Sequence, residues 1–131
     1  MVGDGSAATP STLDQEVDMS QLTDTTQFFA VFRFPPEREA EVDDFFARHA
    51  AWMERVHPRE GAEALVQYSV AKGEDAGKIV VLVTEVFASQ AGWENHLRIA
   101  GSDPDTVDLG TLTEIGEHVI WNPAQVVHSL W

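Results

Sequence analysis

The amino-acid sequence predicts an α+β fold in which one antiparallel sheet carries two helices on one of its faces. Strand-like segments rich in β-branched and aromatic residues alternate with two segments of helical periodicity, in the order β-α-β repeated twice. Two of the strands are apolar on both faces, which is typical of central strands covered on both sides. The length of 131 residues allows one domain with one core.

The first predicted strand covers residues 27–34 and ends at Pro35-Pro36, because two prolines cannot continue a hydrogen-bonded ladder. One face of this strand is apolar throughout, and Phe29 and Val31 make the other face apolar too. The preceding residues 1–26 are rich in Ser, Thr, Asp and Gly and contain no Lys or Arg. We therefore predict a flexible acidic arm over 1–26 and a folded domain over 27–131.

The first helix is predicted over residues 36–57, with Glu residues near its start and Arg55 near its end. Its inward face has helical spacing: Val42, Phe45, Phe46, His49, Trp52, Met53 and Val56. The second helix is predicted to begin after Ser89 as N-cap and to stop at Gly101. One face of this helix carries Trp93, His96, Leu97 and Ala100.

The remaining strands are predicted over residues 65–71 and 78–87, joined by a loop whose two glycines suit a hairpin. Residues 79–83 are apolar on both faces and form the second central strand. A short helix is predicted within 102–114, and one or two further strands over 118–122 and 125–130. This order is the split, ferredoxin-like arrangement, in which both helices cover one sheet face. The bare second face predicts a homodimeric barrel.

Composition and charge limit the classes of partner. Hydrophobic residues make up 44% of the chain, and no apolar run approaches the roughly 20 residues of a membrane span. The net charge of −14 disfavours nucleic acid and anionic membrane surfaces as partners. The chain has no cysteine and starts without a secretory signal pattern, so we predict a cytoplasmic location.

The segment KIVVLVTEVFASQAGWENHLRIA, residues 78–100, resembles the antibiotic-biosynthesis monooxygenase and quinol monooxygenase group of the dimeric α/β-barrel superfamily. The resemblance rests on a strand ending in Glu85, the aromatic Phe87, the helix start at Ser89-Gln90-Ala91, and His96 followed by Leu97. It extends over roughly residues 27–122. The resemblance implies a dimeric barrel, and the superfamily also contains polyketide cyclases, haem-degrading enzymes, lyases and proteins with no known activity.

Two histidines on apolar helix faces are the main candidate functional residues. His49 and His96 should both point inward, where Trp52, Trp93 and Tyr68 could converge with them on one aromatic cavity. A histidine there could take a proton from a phenol or a carbon acid, and we favour His96 as the base. A buried histidine of purely structural role is the alternative for each.

The predicted site therefore comprises two catalytic residues, His96 and His49, and six substrate-binding residues, Trp93, Trp52, Tyr68, Asn95, Arg33 and Phe45. Asn95, Asn122 and Arg33 are candidates to stabilise an enolate or phenolate oxygen. Because Arg33 sits on a central strand, we also predict that it pairs with a carboxylate such as Glu85.

The other histidines and tryptophans are weaker candidates for the site. His57 is predicted to cap the first helix, His118 and His128 could be exposed, and Trp121 and Trp131 are predicted core or dimer contacts. The sequence contains no HExxH, Gly-rich phosphate loop, GxSxG or CxxC motif, so no metal site and no standard cofactor is predicted. His96 could serve as a haem ligand, but no other residue favours haem.

Two classes of function follow. The first is a cofactor-independent enzyme for an aromatic or polyketide-like small molecule, either a monooxygenase that oxidises a phenol or quinol to a quinone, or a polyketide cyclase. The second is a small-ligand-binding or structural homodimer without turnover. A closed aromatic pocket holding both helix-face histidines separates the two classes: if side chains fill the pocket, the second class is favoured.

Overall fold

A computed structural model of the chain describes residues 22–130. The strands are β1 (Thr26–Phe34), β2 (Leu65–Asp75), β3 (Lys78–Phe87), β4 (Glu117–Ile120) and β5 (Ala124–Gln125). The α-helices are α1 (Glu39–Val56) and α2 (Gln90–Ser102), and two 3₁₀ turns cover Pro36–Arg38 and Leu109–Glu114. The antiparallel strand order β2-β3-β1-β4, with β5 also pairing with β1, is that of a ferredoxin-like fold, which confirms the predicted α+β class.

Both strands predicted to be central are central. β1 pairs with β3 on one side and with β4 and β5 on the other, while β3 lies between β2 and β1. The register places Phe28 opposite Glu85 and Phe32 opposite Val81, and all four side chains are buried on the face that carries the helices. That register decides which polar group of β3 enters the interior.

The core lies between this sheet face and α1. Phe32, Phe34 and Val83 are fully buried on the strands, and Val42 and Met53 of α1 pack over the same face. The spacing of these α1 residues is the helical one predicted from the sequence, so the helix buries one stripe and exposes its acidic side.

The β2–β3 hairpin is tighter than predicted. β2 extends to Asp75 rather than to residue 71, and the turn consists of Ala76 and Gly77, with φ of 52° and 79°. Positive φ at both positions is the signature of a two-residue hairpin turn whose twist matches that of the strands. The extended strand carries Lys72, whose ammonium lies 2.7 Å from a Glu39 carboxylate oxygen of α1.

The ends of α2 and of the C-terminal strand differ from the predicted ends. α2 continues through Gly101 to Ser102, and the Ser89 hydroxyl donates to the Ala62 carbonyl (2.6 Å) instead of capping the helix. The predicted strand over 125–130 is reduced to β5, which pairs with Thr26 and Gln27 at the start of β1. The C-terminal segment thereby covers the beginning of the domain.

The predicted acidic arm lies mostly outside the described residues, and Trp131 lies outside them as well. Of residues 22–26, Thr25 and Thr26 are buried, and the Thr25 carbonyl accepts from the amide of Val126 at 2.8 Å. Thr25 and Thr26, which were predicted to belong to the arm, are therefore packed as part of the folded domain. No helix within the described part of the chain is long and apolar enough to cross a membrane.

The sheet face opposite the helices, here called the open face, has an apolar centre. It carries Phe29, Val31, Leu82, Val119 and Trp121, and the last three are 38%, 51% and 48% exposed. Phe29 and Trp121 contact each other with ring centroids 5.3 Å apart. The open face therefore presents several large apolar side chains to solvent.

Gly116 allows a close approach that any side chain would prevent. A Cβ at this position would lie 2.5 Å from both the Arg33 carbonyl oxygen and the Phe34 ring. We expect Gly116→Ala to reduce the free energy of unfolding by about 2–3 kcal/mol, because neither the backbone nor the buried ring can move away cheaply. Gly101→Ala is the matched control: its Cβ meets nothing within 4 Å inside α2, so it should stabilise by about 0.5 kcal/mol. Urea unfolding measures both, and equal effects would contradict the steric explanation.

Candidate functional site

A cavity of about 270 Å³ lies between the helix-bearing face of the sheet, α1, α2 and the segment that follows α2. Its apolar wall is formed by Phe28, Trp52, Trp93, Leu97, Ala100, Val107, Leu109 and Ile120. Its polar lining is His49, Glu85, His96, Thr106 and Asp108. The volume is slightly below the roughly 300–1,000 Å³ of typical small-molecule sites, which suits a ligand of one or two rings.

Helical spacing places the four central side chains. His49 and Trp52 are three residues apart on α1, and Trp93 and His96 are three apart on α2, so each pair shares one helix face. The Trp52 indole donates to the Asp103 carboxylate at 3.1 Å, a contact that holds α1 against the end of α2. Trp93 stacks on Phe28 with centroids 5.3 Å apart and an interplanar angle of 15°.

A hydrogen-bond chain defines the tautomer of His96. The Nδ1 of His57 lies 2.8 Å from the Met53 carbonyl, which can only accept, so this nitrogen carries a proton. In neutral His57 the Nε2 is then an acceptor, and it lies 2.9 Å from the Nδ1 of His96, which must donate. His96 is consequently left with an unprotonated Nε2, the arrangement required of a base.

Both cavity histidines are neutral at physiological pH. Burial lowers the pKa of His96 from 6.5 to about 4, and the positive charge that His57 would carry adds to this effect. Burial, followed by the charges of His96 and His57, lowers the pKa of His49 to about 4 as well. The pKa of His57 is also lowered, chiefly by burial. Neutral imidazoles support the tautomer assignment above.

His49 is held from behind by Tyr68. The His49 Nδ1 and the Tyr68 hydroxyl are 2.7 Å apart, and Phe45 stacks on the imidazole with centroids 6.0 Å apart. Burial, followed by the neighbouring Glu85, raises the pKa of the Tyr68 phenol, so Tyr68 keeps its proton. When Tyr68 donates that proton to Nδ1, His49 carries its own proton on Nε2 and is a donor, in contrast to His96.

Glu85 is the remaining polar group of the cavity. It is 1% exposed, and neither of its carboxylate oxygens has a hydrogen-bond partner among the described residues. Burial raises the pKa of this carboxyl to about 8, so it is mostly protonated at neutral pH.

Four of the eight predicted site residues line the cavity: His49, His96, Trp52 and Trp93. Tyr68 and Phe45 contact His49 from outside the lining. Sequence reasoning missed Glu85 and His57 as parts of this cluster. Val81, Val83 and Glu85 alternate along β3 and therefore share its inward face, and this pattern could have revealed Glu85. No sequence signal places His57 beside His96.

Arg33 does not line the cavity. Its predicted pairing with a carboxylate is confirmed, but Glu85 is not the partner. Its guanidinium is on the open face, 2.8 Å from the Asp75 carboxylate and 3.5 Å from that of Glu117. The pleat explains the difference, because Arg33 is five residues from inward-facing Phe28 and therefore points to the opposite side.

The two predicted asparagines are also elsewhere. Asn95 is 6% exposed, and its side-chain oxygen accepts from the Arg98 guanidinium on the same helix. Asn122 lies beside Trp121, away from the cavity. Within residues 22–130, no three His, Cys, Asp or Glu side chains are grouped as metal ligands would be.

Comparison with solved structures identifies the class of fold. The chain is similar to a conserved protein from Methanosarcina mazei Go1, with 18% identity and a TM-score of 0.55, over 81% of this chain and 96% of that one. It is equally similar to a dimeric ferredoxin-like protein from an uncultured marine organism, with 16% identity and a TM-score of 0.55, over 81% and 98% of the two chains. These similarities establish a ferredoxin-like α+β fold. No family of known proteins matches the sequence, and no curated protein matches it.

Proposed function

We propose that the protein is a cofactor-independent monooxygenase that oxidises a small phenol or quinol to a quinone. The observation that carries the proposal is the unprotonated Nε2 of His96 beside an aromatic cavity, with its Nδ1 bonded to His57. The resemblance of residues 78–100 to the antibiotic-biosynthesis monooxygenase group supports the same activity.

The first chemical step is removal of the phenolic proton. A phenol of pKa about 10 is a weak acid, and a buried imidazole is a weak base. A phenolate formed next to His96 supplies the opposite charge, which raises the pKa of the imidazole and lowers that of the phenol. His57 shares the developing positive charge through the hydrogen bond to His96 Nδ1.

The phenolate is then electron-rich enough to react with O₂. Electron transfer and recombination form a carbon–oxygen bond, and loss of water from the hydroperoxide yields the quinone. The overall reaction, ArH(OH) + O₂ → quinone + H₂O, balances without another oxidant or reductant. Trp52 and Trp93 would position the ring, and the Nε2 proton of His49 would donate to the phenolate oxygen.

The direct test follows oxygen uptake and quinone absorbance with a panel of naphthols and anthrones. We expect turnover by the wild-type protein without added metal or flavin. His128→Gln is the matched control, because His128 is exposed and lies outside the cavity. Binding without oxygen uptake by any panel member would contradict the proposal and favour the non-catalytic ligand-binding dimer.

Ring closure of a polyketide-like chain is the second candidate, and Glu85 favours it. A base at His96 and a protonated carboxyl at Glu85 line one cavity, and an aldol closure needs both a proton acceptor and a proton donor. Product formation under nitrogen separates the two reactions, because only the monooxygenase consumes O₂.

We also propose a homodimer joined through the open face. The solved neighbour described as dimeric supports it, as does the apolar surface of Leu82, Val119 and Trp121. Light scattering should give twice the chain mass of 14.5 kDa. Val119→Asp should produce monomers, whereas Val66→Asp, an exposed apolar site outside the open face, should not. A wild-type monomer would contradict the dimer.

The cytoplasmic location and the absence of nucleic-acid partners remain proposals based on composition and charge.

A further inference from the structure

The Glu85 carboxyl is buried without a partner at the edge of the cavity. It lies on β3 between Phe28 of β1 and Tyr68 of β2, and it is 1% exposed. Neither carboxylate oxygen makes a hydrogen bond within the described part of the chain, although Tyr68 and His49 bond to each other nearby. Among the fully buried side-chain nitrogen and oxygen atoms of the described residues, only the two Glu85 carboxylate oxygens lack a hydrogen-bond partner.

Such a group is costly unless something binds it. An unsatisfied buried polar group destabilises a protein by about 1–3 kcal/mol, and nearly all buried polar groups in native structures have partners. Sheet neighbours enclose Glu85 on both sides, and the space it reaches is the cavity it lines. A molecule bound in the cavity can therefore supply these hydrogen bonds.

The chemistry of the surroundings selects the type of partner. An amine would require a charged carboxylate and a buried cation, and both would lose hydration in an aromatic cavity. A neutral carboxyl can instead donate to and accept from a hydroxyl or carbonyl oxygen without burying charge. The raised pKa of Glu85 keeps the carboxyl in this neutral form near pH 6.5.

We propose that Glu85 is a specificity-determining residue that binds a second oxygen substituent of the ligand, remote from the oxygen held at His96. This inference rests on the proposed function, in which His96 receives the first, phenolic oxygen. The ligand class is then a one- or two-ring aromatic molecule that carries oxygen at two separate positions. A simple phenol would leave the carboxyl unsatisfied and bind less tightly.

Anaerobic calorimetric titration at about pH 6.5 tests this, because binding is then measured without turnover. The probes are 1-naphthol, 1,4-naphthalenediol and 1,5-naphthalenediol, and the proteins are the wild type, Glu85→Gln and Glu85→Leu. We expect the better diol to bind the wild type about 10-fold more tightly than 1-naphthol does, as one added hydrogen bond to a buried polar group predicts. Glu85→Gln, which still donates and accepts, should keep most of this preference.

Glu85→Leu should abolish the preference and leave 1-naphthol binding within about 3-fold of the wild type. It should also fold, because it replaces an unsatisfied carboxyl with an apolar side chain of similar size, and a melting curve checks this. Equal affinity of the wild type for 1-naphthol and both diols, or the same diol preference in Glu85→Leu, would overturn the proposed role of Glu85. Oxygen uptake with those results would leave the monooxygenase proposal standing.

The experiment also distinguishes the case in which the role of Glu85 is right and the monooxygenase proposal is wrong. A Glu85-dependent preference for diols without any oxygen uptake supports the binding role and rejects the monooxygenase. Failure of all three probes to bind the wild type rejects both proposals.

Discussion

Replacement of His96 by Gln is expected to lower turnover by about 100-fold or more, with little change in ligand affinity. Glutamine has a similar volume and can still hydrogen-bond to His57, but it cannot accept a proton at neutral pH. The loss of a positioned general base typically costs 10²–10⁴ in rate. Steady-state oxygen uptake and anaerobic ligand titration measure the two quantities separately.

The hydrogen-bond geometry also predicts how much replacement of the other two cluster histidines, His49 and His57, should lower turnover. His49→Gln should reduce turnover less, by about 10-fold, because the glutamine amide still donates a hydrogen bond and only the position of the donor changes, while the base stays in place. His57→Phe keeps an aromatic ring against Trp52 and Phe87 but removes the acceptor for the Nδ1 proton of His96. We expect it to lower kcat and shift its pH profile, an effect that a purely structural residue would not produce.

Full activity in both His49→Gln and His96→Gln would remove histidine base catalysis from the mechanism. The cavity would then act by orienting and desolvating a substrate that is already acidic. The exposed His128→Gln variant, which leaves the cavity intact, controls for general effects of the replacement.

The second large effect is a loss of stability in acid. The pKa of His49 and that of His96 are about 4 in the folded protein and 6.5 in the unfolded chain. Between these values the unfolded chain binds more protons, so stability present above pH 6.5 is lost as the pH falls through about 4. Each shift corresponds to about 3 kcal/mol. Two such losses are comparable to the whole stability of a typical domain.

Glu85 acts in the opposite direction. Its pKa is about 8 when folded and 4.5 when unfolded, so its favourable contribution is complete below pH 4.5 and is lost as the pH rises through 8. The histidines and Glu85 together predict maximum stability near pH 6.5. Urea unfolding at about pH 4.5, 6.5 and 8.5 measures both slopes.

Variants show which residues cause the loss of stability in acid and which cause the loss at alkaline pH. The double variant His49→Gln, His96→Gln should flatten the acid slope, and Glu85→Leu should flatten the alkaline slope. His128→Gln, at an exposed position, should change neither. An unchanged acid slope in the double variant would mean that groups outside the cavity cause the acid unfolding.

Residue periodicity within each element was sufficient to predict a large part of the site. Helical spacing alone puts His49 with Trp52, and His96 with Trp93, because side chains three residues apart share a helix face whatever the helix packs against. The same reasoning identified β1 and β3 as central strands, since residues on both of their faces are apolar. These properties are local, so they can be predicted without knowing how the elements pack.

Contacts between elements could not be predicted in the same way. The pairing of Phe28 with Glu85 depends on strand register, and a shift of one residue would have turned the carboxyl to the open face. His57 meets His96 because the chain leaving α1 carries its imidazole beneath α2, a placement that no spacing within one helix encodes. Arg33 illustrates the same limit: alternation along β1 sets its face, but its partners Asp75 and Glu117 come from β2 and β4. Local periodicity specifies which way a side chain points within its element, whereas its partner depends on how separate elements align in space.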